Sequence, residues 1–87
     1  MSGLDLEPFN TAHYVRNVDI INNQFISNYT GITHASGTAV IENIFIDNND
    51  FINNTYAGIR KSGRAINEVI TTTNTFTGNP NTILIGS

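Results

Sequence analysis

The chain is expected to be all-β: a β-solenoid of about three coils of roughly 25 residues. Three observations predict this. The motif Asn-x-Phe occurs three times, in INNQF (21–25), DNNDF (47–51) and TTNTF (72–76), at spacings of 26 and 25 residues. Between the motifs, apolar residues alternate at period two, as strands require and helices do not. Asn-Asn pairs and glycines punctuate the chain every few residues, which leaves no room for apolar stripes at helical period.

Each element follows from the alignment of Val15–Thr33, Ile41–Arg60 and Ile66–Leu84. The columns that hold their type are Val15/Ile41/Ile66, Val18/Ile44/Val69, Asn23/Asn49/Asn74, Phe25/Phe51/Phe76 and Ile32/Ile59/Ile83. The opening Gly3-Leu4 aligns with Gly31-Ile32 and Gly58-Ile59, so residues 1–14 form a partial coil before repeats at about 15–40, 41–65 and 66–87. The whole of 1–87 is one segment. A coil of two or three strands buries its apolar face only against its neighbours, which is why the sequence repeats. Stacked about 4.8 Å apart, the Phe column becomes an internal aromatic stack. The Asn column becomes a ladder of amides, each Asn also suited to a left-handed turn position. The third unit departs from the pattern, with Thr71 in the place of Ile46 and no glycine before Ile83, as expected either where the solenoid ends or where its last coil is degraded. A sandwich or small barrel would need hairpin turns every 8–12 residues, not matching columns at 25.

Composition narrows the function classes. Four Lys and Arg stand against seven Asp and Glu, a net charge of −3; a nucleic-acid partner is not expected, because such proteins carry a basic patch. No apolar run approaches the ~18 residues of a membrane span, so no membrane partner is expected. The first residues, MSGLDLEP, lack the basic and apolar regions of a signal peptide. No cysteine is present, which excludes a disulfide framework and a thiol nucleophile.

The repeats VDIINNQFISNYTGI and IFIDNNDFINNTYAGI, together with GLDLEP, resemble the parallel β-helix of the pectate-lyase-like superfamily. The resemblance covers nearly the whole chain. It implies a right-handed, three-sheet parallel β-helix. That superfamily includes pectate and pectin lyases, polygalacturonases, alginate epimerases and phage tailspikes. The implied setting is extracellular or on a virion, and the implied partner a polysaccharide.

Candidate sites follow from what would face outward. With Leu4 and Leu6 inward, Asp5 and Glu7 share one outer face, about 6.5–7 Å apart by strand rise. This approaches the ~6.5–9.5 Å of an inverting glycosidase pair, so these two are the candidate catalytic residues; the plainer reading is two solvated acids. Arg60, Lys61 and Arg64 fall in the loop GIRKSGR. By ladder register Arg60 stacks over Thr33 and, two strands away at about 10 Å, over Asp5. Arg60, Lys61, Thr33 and His34 are the candidate substrate-binding set, suited to an acidic sugar through a bidentate guanidinium. The plainer reading is a solvated basic loop. His13 and His34 lack zinc-ligand spacing, and Asp19, Asp47 and Asp50 share no column, so neither metal nor other cofactor is expected.

Phe45 and Ile70 are assigned to the outward column that begins with Asp19. Such an apolar stripe marks an interface, expected to join a homotrimer, while Ile26 and Ile52 nearby point either outward or into the core. Three function classes remain: a carbohydrate-facing structural or binding segment of a longer β-helix, a polysaccharide lyase or glycoside hydrolase, and a purely structural self-assembling repeat.

Overall fold

The computed structural model describes residues 2–7, 14–34, 40–62 and 65–86. His13 and Arg64 lie outside them. The described elements are strands: β1 (Ser2–Leu6), β2 (Tyr14–Ile21), β3 (Gln24–Ile26), β4 (Thr30–His34), β5 (Val40–Asp47), β6 (Asp50–Ile52), β7 (Ala57–Ser62), β8 (Val69–Ile70), β9 (Thr75–Thr77) and β10 (Asn81–Gly86). They form three sheets, ordered β1-β4-β7-β10, β2-β5-β8 and β3-β6-β9. Every pairing is parallel. Each sequence unit therefore adds one strand to each sheet, and the aligned residues become hydrogen-bonded neighbours.

The three sheets share one core. Leu6, Ile32 and Ile59 enter it from the first sheet, Ile20, Ile41, Ile44 and Ile46 from the second, and Phe25 and Phe51 from the third. The Phe column stacks as expected. Ring centroids lie 5.1 Å apart for Phe25–Phe51 and 4.8 Å for Phe51–Phe76, with planes tilted by 13° and 7°. The repeated glycine makes room for these rings. A Cβ on Gly31 would lie 2.5 Å from the Gly58 carbonyl oxygen and 2.7 Å from a Phe51 ring carbon.

Bends within the long strands β2 and β5 and corners between strands use left-handed residues, and asparagine supplies most of them. Asn17, Asn22, Asn43, Asn48, Asn53 and Asn67 all have φ between 52° and 61°. Ser27 and Gly78 take the same role at φ 58° and 71°. Asn23, Asn49 and Asn74 do not: the left-handed residue at that corner is the Asn before them, Asn22 or Asn48. The second Asn of each pair is thereby released to turn inward. Asn49 and Asn74 are buried.

The ladder is directional. Asn23 N–H donates to Asn49 Oδ1 (2.9 Å), and Asn49 N–H donates to Asn74 Oδ1 (3.0 Å). Asn49 Nδ2 donates to the Ile20 carbonyl and to Asn74 Oδ1. A second ladder with the same logic runs through Asn28, Asn54 and Asn79. Asn28, Asn54 and Asn79 are not among the columns that the sequence alignment singles out.

The third unit departs from the expected columns by one residue. Glu42 pairs Ile66, Phe45 pairs Val69 and Ile46 pairs Ile70. Ile66 is thus not in the Ile41 column, nor Val69 in the Val18/Ile44 column, and Thr71 does not replace Ile46. The cause is the corner. Units one and two turn it on a single left-handed Asn, whereas unit three has Thr72 and Thr73 there. A β-branched residue resists positive φ, so this corner spends one residue more. Thr71 and Thr73 hydroxyls fasten it by donating to Asp47 Oδ1 at 2.6 and 2.7 Å. From Asn49–Asn74 to Ile52–Thr77 the spacing is 25 residues, and between β7 and β10 it is 24 again.

Candidate functional site

Two faces of the first sheet carry the residues singled out by the sequence, and the pleat separates them. On the outer face Asp5 pairs Thr33 and Thr33 pairs Arg60, as the ladder register predicts. Asp5 and Arg60 are exposed with Thr33 half-buried between them, and Glu7 is exposed just beyond β1. The two charges stand one strand either side of Thr33, about 10 Å apart by strand spacing.

His34 and Lys61 lie one position further along their strands, so their side chains point to the opposite face. They do not join Arg60 and Thr33 in one outward set. Leu6 pairs His34 and Ile85 pairs Lys61, a column that begins inside the core. There both basic groups meet Glu68, from the connection between β7 and β8. His34 Nε2 lies 2.6 Å from one Glu68 carboxylate oxygen and Lys61 Nζ lies 2.8 Å from the other. The Glu68 side chain is 2% exposed, His34 0% and Lys61 21%. The Lys61 contact pairs opposite charges, and His34 shares the same carboxylate. Burial pushes the Glu68 carboxyl up; the contacts with His34 and then Lys61 outweigh it, and its pKa lies below the ordinary value. Glu68 is not singled out by the sequence, because the column alignment sets Val69 rather than Glu68 in line with Val18 and Ile44.

The third sheet presents a different surface. Phe25, Phe51 and Phe76 point inward, so Gln24, Asp50 and Thr75 line up outside, with Ile26, Ile52 and Thr77 as the second outer column. Ile26 and Ile52 therefore face outward. Where this sheet meets the second, Asn22, Asn23, Gln24, Asn48 and Asp50 line an open polar groove of about 520 Å³. Its parts are held in place. Asn48 Nδ2 donates to Asn22 Oδ1 (2.5 Å), and Thr75 Oγ1 donates to Asp50 Oδ1 (2.6 Å).

The outer apolar stripe of the second sheet is corrected by the same one-residue shift. The column that begins with Asp19 continues to Phe45 and Val69. Val69 is 51% exposed and Ile66 53%, with Phe45 half-buried. Ile70 belongs to the inward Ile20/Ile46 column and packs against the core.

Among the described residues no group of three or more His, Cys, Asp or Glu is placed to hold a metal ion, and no helix is long and apolar enough to cross a membrane. Compared with known proteins, the chain matches no family model, no curated protein and no solved structure.

Proposed function

We propose that the chain is a segment of a right-handed parallel β-helix that presents a polar outer surface to carbohydrate, as a structural and binding element of a cell-surface or virion protein. Support for the fold comes from three parallel sheets, each receiving one strand per sequence unit. Support for carbohydrate comes from the groove lined by Asn22, Asn23, Gln24, Asn48 and Asp50. Planar amides and a carboxylate, spaced at the strand repeat and held by their neighbours, match the alternating donors and acceptors of sugar hydroxyls.

The outer column Asp5–Thr33–Arg60 supports a variant of this reading, in which Arg60 takes a carboxylated sugar. Asp5 and Glu7 remain the pair to examine for hydrolysis or elimination. Both are exposed, so they line no enclosed, water-poor site.

The test is titration of the ¹⁵N-labelled chain with neutral hexose oligosaccharides and with uronate oligomers. Saturable shifts at Gln24, Asn48 and Asp50, lost in Asp50→Ala, are expected. Shifts confined to Asp5, Thr33 and Arg60 with uronates alone would move the site to the first sheet. No saturable shift with either class at millimolar ligand would sink the carbohydrate reading.

A further inference from the structure

The outer face of the third sheet is polar along one edge and apolar along the other. Strands β3, β6 and β9 are three residues long, and their central Phe residues stack with one another. Two outward columns remain: Gln24, Asp50 and Thr75, and beside them Ile26, Ile52 and Thr77. Neighbouring columns on a strand stand about 6.5–7 Å apart. The polar column runs into the groove that Asn22, Asn23 and Asn48 line with Gln24 and Asp50. The apolar column beside it is open: Ile26 is 48% exposed and Ile52 half-buried. Asp50 is the one charged residue of the groove lining and of these three strands. An acidic sugar placed there meets a like charge and no cation, unlike one placed at Arg60 on the first sheet.

From this arrangement we infer that the groove and the Ile26–Ile52 column are one site, and that its ligand is a neutral pyranose chain laid across the strands. The inference deepens the carbohydrate reading and rests on it. A pyranose whose hydroxyls are equatorial carries them round the rim of the ring and leaves C–H groups on both faces. Rim hydroxyls fall to Gln24, Asp50 and Thr75, and a ring face falls to Ile26 or Ile52, where apolar surface leaves water. The strand spacing of about 4.8 Å is close to the advance of one residue in an extended 1,4-linked chain, so each strand meets one sugar. Successive residues of a β-1,4-linked chain turn opposite faces to the same side. Both faces must then be apolar, which the glucose configuration satisfies. The axial C2 hydroxyl of mannose is left against an isoleucine at every second residue, without a partner. The site therefore selects neutral, equatorially hydroxylated hexose polymers, and Ile26 and Ile52 are its specificity-determining residues.

The test titrates the full chain, labelled with ¹⁵N and at the isoleucine methyls, with pentamers of β-1,4-linked glucose, β-1,4-linked mannose and α-1,4-linked galacturonate. The glucose pentamer is expected to give saturable shifts at Gln24 and Asp50, and nuclear Overhauser contacts from its ring protons to the Ile26 and Ile52 methyls. The mannose pentamer binds more weakly, and the galacturonate pentamer shifts neither Gln24 nor Asp50. A double variant, Ile26→Thr with Ile52→Thr, carries the residue already present in this column at Thr77. It keeps the dispersed spectrum of the parent and loses affinity for the glucose pentamer by about tenfold. Unchanged affinity in the double variant overturns the inference while the carbohydrate reading stands. Equal binding of the mannose or the galacturonate pentamer at Gln24 and Asp50 does the same. Self-association of the parent that the double variant abolishes, with no sugar contact at either methyl, gives the isoleucine column to a second copy and also overturns it. No saturable shift with any pentamer sinks both this inference and the reading it rests on.

Discussion

Replacing Asn49 by leucine tests whether the inward asparagines hold the layers together or merely fill space. Asn49 is fully buried, and leucine is close to it in size. The change removes three hydrogen bonds: from Asn23 N–H (2.9 Å), to the Ile20 carbonyl (2.8 Å) and to Asn74 Oδ1 (3.0 Å). At about 0.5–1.5 kcal/mol net for each bond, the loss is about 1.5–4.5 kcal/mol; the burial of the stranded acceptors places it near the upper half, about 3 kcal/mol. A chain of this length is stable by about 4–13 kcal/mol in all, so the effect is large. In urea, with a slope of about 1–3 kcal/mol per molar, the midpoint falls by roughly 1–3 M with the slope unchanged. Asn54→Leu, which breaks the equivalent bonds of the second ladder, should cost the same. Thr75→Val, which removes only the exposed bond to Asp50, should cost under about 0.5 kcal/mol. If Asn49→Leu costs no more than Thr75→Val, the ladders are incidental and the reasoning fails.

Two further outcomes follow from corners and charges. Glu68→Gln should destabilise the fold by about 3–5 kcal/mol, because it leaves the inward Lys61 without its counter-charge. In the unaltered chain the folded-state pKa of Glu68 lies below its ordinary 4.5. Its contribution is therefore complete above about that value and is lost as pH falls through the lowered folded value; an acid unfolding curve that is the same for Glu68→Gln and the parent would refute this. At the left-handed corner of Asn48, φ 55°, Asn48→Gly should be nearly neutral while Asn48→Val costs about 1–2 kcal/mol, read as the difference between their thermal midpoints.

Much of the architecture could be read from sequence because the ladders are a repeat in the chain before they are a contact in space. Phe25/Phe51/Phe76 and the pairs Gly3-Leu4, Gly31-Ile32 and Gly58-Ile59 fall in register, and so does the Asp5–Thr33–Arg60 column, since strand alternation and unit spacing alone place them. The misreadings cluster where local backbone chemistry altered the count. Two threonines in place of one left-handed asparagine shifted β8 by a residue, which carried Ile70 inside and put Val69 on the outer stripe.

What the sequence determined by itself was the repeating part: parallel strands, the aromatic stack and an amide row, each imposed by period two within a unit and about 25 residues between units. Only the tertiary structure decided which way a residue near a corner points, because one inserted residue inverts the face of every side chain until the next correction. It also alone brought Glu68, which the one-residue shift sets in line with Ile44, between His34 and Lys61. A charge cluster assembled from non-equivalent positions leaves no periodic trace, so no reading of columns could have found it.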